Sequence, residues 1–173
     1  SSISLMQSKK ANPELENKRP RPKVVDRNQG EPMLKLLVPI EENEIRKETI
    51  GSLIHWLDRI KTPYQIHLIN VQPAIHGDVG MFLSHDQIQD FQREEGMKQL
   101  KGAMKQLESA QRPFEHHIYV GDAAEVIAQF ARQNDVHQIV IGYRTISTLT
   151  ALLLGSLPSR VIQLADVPVM LIK

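Results

Sequence analysis

The stretch IGYRTISTLTALLLGSLPSR, residues 141–160, decides how the chain is read. It enters as the end of an apolar strand, bends at Gly142, runs through hydroxyl and apolar residues, and bends again at Gly155. Ser156 follows at once, and Val161, Ile162 and Ala165 then fall on one helical stripe. Backbone N–H groups at a helix start have no intrahelical partner, carry partial positive charge and point outward, so they suit a phosphate. Gly155 lets an anion approach the backbone, Ser156 offers a hydroxyl donor, and Arg144 and Arg160 are cations close in sequence. The segment reads either as a polyphosphate cradle or as two plain bends, one ending a strand and one starting a helix. Neither the nucleotide loop Gly-x4-Gly-Lys-Ser/Thr nor the dinucleotide fingerprint Gly-x-Gly-x-x-Gly occurs in the chain.

Working outward from this segment, apolar runs alternate with helical stripes. LKLLVPI (34–40), QIHLINV (65–71), FEHHIYV (114–120), VHQIVIG (136–142) and VPVMLIK (167–173) read as strands. Between them, Ile45, Ile50, Leu53, Ile54, Leu57 and Ile60 form one stripe, and Val126, Ile127 and Phe130 mark another. A long helix over 85–111 carries Ile88, Phe91, Met97, Leu100, Met104 and Leu107. Strands this apolar require cover on both faces. The expectation is a doubly wound α/β domain over residues 34–173: a five-stranded parallel sheet, helices on both faces, right-handed crossovers. Ligands of such sheets bind beyond the carboxyl ends of the strands, where the strand order reverses.

Composition bounds the partners. Among 173 residues, 21 basic and 20 acidic side chains nearly cancel, which argues against nucleic acid or an anionic membrane as a general partner. Aromatic content is 5%, with no paired aromatics on a strand, so stacking on single-stranded nucleic acid has no support either. Cysteine is absent, which excludes a disulfide framework, thiolate metal sites and a cysteine nucleophile. No apolar run reaches the roughly 18 residues that span a bilayer, so direct membrane insertion is not expected. Residues 1–33 differ from the rest, with four prolines, no sustained period and a net charge of +3 against −2 for the remainder. They read as a solvated basic tail, or as an arm centred on Lys18, Arg19, Arg21 and Lys23 that binds a partner or a membrane surface.

Four segments carry a resemblance. LLVPIEEN at the first strand, HLINVQP at the second, GDAAEVIAQFARQNDVHQIVIGYR at the third helix and fourth strand, and GSLPSRVIQLADVPVMLIK at the end are similar to the universal stress protein family. Nucleotide-binding members of that family carry Gly-x2-Gly-x9-Gly-Ser/Thr after the fourth strand. The spacing falls here on Gly142, Thr145, Gly155 and Ser156, so three of the four positions match. The resemblance implies a cytoplasmic stress-response regulator that binds an adenine nucleotide, ATP or AMP with or without Mg2+. Pro39, Ile40 and Glu41 would flank the adenosine, and Val71 would lie against the adenine. Ile141 and Gly142 would close the other side, with Arg144, Thr145, Gly155, Ser156 and Leu157 towards the phosphates. Apolar Ile40, Val71 and Ile141 are the side chains expected to sandwich the base. The resemblance also implies a homodimer through the last strand, using Val167, Val169, Met170, Leu171 and Ile172, and a further protein partner of unknown identity.

Three positions depart from the family pattern. Thr145 replaces a glycine, Glu41 stands where aspartate is usual, and Pro158 removes a hydroxyl and an N–H from the helix start. A nucleotide-free dimerisation module of the same fold, and a cytosolic domain of a larger membrane protein, are therefore carried as alternatives.

No catalytic set is expected. There is no Gly-x-Ser-x-Gly elbow, no His-x-Gly-His turn and no lysine in a phosphate loop, so ATP hydrolysis would be slow at most. Seven histidines raise the question of a metal. His116 and His117 are neighbours on a strand and point to opposite faces, so they cannot share one ion. His76 with Asp78 near the cleft is the other combination to watch, and no metal site is expected from either.

Overall fold

A computed structural model describes residues 33–41, 46–75, 82–142 and 156–172. The elements follow the alternation of the sequence. They are β1 (Leu34–Pro39), α1 (Arg46–Leu57), β2 (Tyr64–Gln72), α2 (His85–Ser109), β3 (Phe114–Val120), α3 (Ala123–Gln133), β4 (Gln138–Gly142), α4 (Leu157–Leu164) and β5 (Val169–Ile172). All strand pairs are parallel, in the order β3-β2-β1-β4-β5. The order reverses between β1 and β4. Their ladder is short, with Leu36 opposite Gln138 and Leu37 opposite Ile139. His137 extends it by one step, donating its N–H to Lys35 O at 2.9 Å and accepting Lys35 N–H on its ring Nδ1 at 3.0 Å.

The period-2 alternation of the strands divides the core into two layers. Leu36, Val38 and Ile40 of the first strand segment, with Ile66, Leu68, Ile118 and Val140, pack against Ile50, Leu53 and Leu57 of α1 and Leu100, Ala103 and Leu107 of α2. Leu37, Ile69, Ile139 and Ile141 pack on the other face against Ala124, Ile127, Phe130 and Ala131 of α3 and Val161 of α4.

Two helix faces differ from the sequence expectation. On α2 the buried stripe is Gln92, Gly96, Leu100, Ala103 and Leu107, whereas Phe91 is 52% exposed. Gly96 sets this phase: a Cβ there would lie 2.8 Å from Ile118 Cγ2, so the helix rests directly on β3 at that point. Ile60 falls beyond the end of α1 and packs on the core from the following loop, while Ile45 lies outside the described residues.

Capping explains where the helices start. Ser84 and Gln87 form a reciprocal capping box on α2, with Oγ accepting from Gln87 N at 3.2 Å and Gln87 Oε1 accepting from Ser84 N at 2.9 Å. Asp122 Oδ1 caps α3 through Glu125 N at 3.1 Å, immediately after Gly121, whose φ of 151° only glycine adopts without strain. Among the described residues, no helix is long and apolar enough to cross a membrane.

Candidate functional site

The carboxyl ends of β1 and β2, the start of α3 and the start of α4 surround a hollow. Pro39, Ile40, Glu41, Ile69, Val71, Ala123, Ile127 and Leu157 line it, and it is open to solvent. Ile40 is held by two anchors beyond the β1 ladder. Its N–H donates to Ile69 O at 2.8 Å, and its carbonyl accepts from Asn70 Nδ2 at 2.7 Å. Asn70 also donates to Gln99 Oε1 and accepts from Gln72 Nε2, both at 2.7 Å. This buried amide network fixes the backbone that presents Glu41. It was not anticipated from the sequence, although two amides, Asn70 and Gln72, at the end of an otherwise apolar strand are a signal for it.

Of the residues expected at a nucleotide site, Pro39, Ile40, Glu41, Val71 and Leu157 line the same hollow. Ile141 lies on the α3/α4 side of the sheet, 3% exposed within the core, and is not among the lining residues. The three apolar side chains expected to sandwich a base are placed differently from one another. The strand alternation carries Ile40 to the α1/α2 core, where it is 2% exposed, and Ile141 is enclosed beneath α3 and α4. Val71 is the half-buried member of the three. Gly142 faces the opposite layer: a Cβ there would come within 2.2 Å of Thr49 Oγ1 on α1, so the missing side chain makes room for that helix. Arg144, Thr145 and Gly155 lie outside the described residues, as do His76 and Asp78.

At the start of α4, Ser156 is the N-cap, its Oγ accepting from Ser159 N at 3.5 Å, with Pro158 in the first turn. The hydroxyl proton of Ser156 is then left to donate elsewhere. Arg160, expected beside a phosphate, instead donates from Nη1 to Asp122 Oδ2 at 2.7 Å, linking the starts of α3 and α4. That hydrogen bond holds the Asp122 carboxyl below the usual carboxylate range.

The residues expected at a dimer interface occupy the sheet edge. Among the described residues, β5 pairs with β4 alone. Val167 and Val169 pack on the α3/α4 core, Met170 and Ile172 on the α1/α2 core, and Leu171 is 37% exposed.

Comparison with known proteins places this architecture. The profile of the universal stress protein family matches residues 33–173. Universal stress protein MJ0531 of Methanocaldococcus jannaschii is 26% identical over 140 residues, covering 80% of this chain and 81% of that protein. Among solved structures, protein MJ0577 superposes with a TM-score of 0.62 at 23% identity, covering 80% of this chain and 94% of its own. The Archaeoglobus fulgidus universal stress protein in complex with dAMP superposes at 0.56 with 20% identity, covering 82% of this chain and 98% of its own. These likenesses extend over the whole alternating α/β unit, and the chain belongs to the universal stress protein family.

Proposed function

We propose that this chain is a stress-response regulatory protein that binds an adenine nucleotide at the carboxyl ends of its central strands. The reading is carried by one observation: an apolar hollow beyond β1 and β2, with Glu41 among its lining residues, lies against the capped start of α4. Ile69, Val71, Ile127 and Leu157 offer the apolar surface a purine needs, and Glu41 can accept from ribose hydroxyls or face a divalent ion. The Ser156 hydroxyl and the Leu157 N–H would face the phosphates, together with Arg144, Thr145 and Gly155. The dAMP complex of the Archaeoglobus fulgidus relative supports an adenine nucleotide as the ligand class. Occupancy would alter contacts to a protein partner, and pairing of two β5 edges would give a homodimer.

A second reading, a nucleotide-free module of the same fold, is favoured by Arg160, which is engaged with Asp122 rather than turned to a ligand. Calorimetric titration with ATP, AMP and cyclic AMP, with and without Mg2+, separates the two. Saturable micromolar binding that weakens in Gly155→Val is the expected result. No heat at millimolar nucleotide, in Thr145→Gly as well as the parent chain, would leave the nucleotide-free module.

A further inference from the structure

The parallel register of β2 and β3 sets His67 opposite Glu115 and Ile69 opposite His117. Alternation then turns His67, Glu115 and His117 to the same face, under α3. His67 Nδ1 lies 3.0 Å from His117 Nε2 and 3.6 Å from Glu115 Oε2, and one donor atom from each of the three falls within 4.8 Å of the others. We propose that His67, His117 and Glu115 bind one divalent transition-metal ion of the zinc class.

Zinc holds imidazole nitrogens at about 2.0–2.1 Å in a tetrahedron, which puts two such nitrogens about 3.3 Å apart. The observed 3.0 Å between the two rings needs only a few tenths of an ångström of opening. The donor set points the same way. Two imidazoles and one carboxylate suit zinc, cobalt or nickel, whereas magnesium and calcium prefer all-oxygen shells. Both rings are nearly buried, with 7% and 8% exposure. Neutral imidazole is the form that binds a metal.

The surroundings are those of a supported site. Gln65 Nε2 donates to Glu115 Oε1 at 3.0 Å, so the carboxylate is steered with its second oxygen towards His67. Phe130 and Tyr119 wall the inner side with their rings, and Glu115, whose side chain is 55% exposed, marks the path to solvent and the open fourth position. A metal would also replace an incomplete arrangement. Two neutral rings share a single N–H···N bond here, which coordination by His67 Nδ1 and His117 Nε2 would replace.

The test uses the full chain after chelator treatment, with no nucleotide present. Co2+ is titrated and followed by its visible d–d absorption, Zn2+ is used to displace it, and calorimetry gives the stoichiometry. The expected result is one ion per chain with low-coordinate bands, and no comparable response to Mg2+. Zn2+ affinity should fall about 100-fold in His67→Gln and His117→Gln, and about 10-fold in Gln65→Ala, which leaves the ligands in place. Glu115→Gln, at an exposed position, keeps the fold testable if the histidine variants do not fold. It should lose at least 10-fold in affinity and most of the zinc-induced rise in Tm. His55→Gln and His85→Gln should bind as the parent does. Absence of stoichiometric binding at millimolar Co2+, or binding unchanged in both Glu115→Gln and His117→Gln, would overturn the site.

Discussion

Asn70 and His67 stand three residues apart on β2, both buried, on opposite faces of the sheet, and their neighbourhoods are built differently. Asn70 is 1% exposed and uses both its carbonyl and its amide, reaching Ile40 O, Gln99 and Gln72. His67 shares one bond with His117 and leaves Nε2 without a partner among the described residues. A saturated buried network adds rigidity, because each member would leave stranded groups if removed. An incompletely paired one holds fewer groups in place. The first kind of cluster shapes the carboxyl end of β1 beside the hollow. The second sits a turn further along α3, at Phe130 rather than Ile127, where a separate ligand can be taken.

The largest effect expected from probing this contrast is at Asn70. Asn70→Ala strands the Ile40 carbonyl and two glutamine side chains, and should lower stability by about 3 kcal/mol in urea unfolding. It should also weaken nucleotide binding by loosening the backbone before Glu41. A loss below about 0.5 kcal/mol would mean the network is dispensable and the contrast is false. Next comes Gly142→Ala, which puts a methyl group 2.2 Å from Thr49 Oγ1 and should cost about 2 kcal/mol by overpacking. Thr49→Ala removes the two closest atoms, so the double variant should recover most of that loss. Additive losses would show that Gly142 is not there to admit α1.

A smaller effect is expected on the histidine side in metal-free protein. His117 titrates at about 4 in the folded chain against 6.5 for an ordinary histidine, chiefly because burial disfavours its charged form. Between those values the unfolded chain binds a proton the folded chain does not. Stability is thus full above pH 6.5 and falls as pH drops towards 4. Urea midpoints of the parent and His117→Phe across this window should converge on acidification; parallel curves would refute the assignment. Smallest is Asp122→Ala, which removes the α3 cap and the tie to Arg160, at a cost of about 1 kcal/mol, nearly all from the cap. The released Arg160 should then tighten AMP binding, and unchanged affinity would show that it lies out of reach of the phosphates.

The sequence made the sheet legible because each strand announces itself by length and apolarity, and FEHHIYV is a strand over the same seven residues in the structure. Helix phase was harder. Phe91 looked like core by hydrophobicity alone, yet the buried position belongs to Gln92, which bonds Pro73 O at 3.1 Å, and to Gly96, which meets β3. The hollow was partly legible, since Pro39, Glu41, Val71 and Leu157 were named from loop ends and family resemblance. Ile40 also lines the hollow, whereas Ile141, on the same face of the sheet as Val71, is buried in the core. The histidine cluster was illegible from local spacing. His116 is the sequence neighbour of His117, while the partner that matters, His67, is fifty residues away and is brought in by register alone.

The short joint between β1 and β4 has a kinetic consequence. Lys35 and His137 meet across 102 positions of chain, whereas β1, β2 and β3 are joined by single local crossovers. Closing so long a span costs entropy before any contact repays it, so the half built from β1 to β3 should assemble first and the β4–β5 half should dock last. The middle of the finished sheet is then the youngest part of it, and the amides of β4 are where exchange with solvent should begin when the protein breathes.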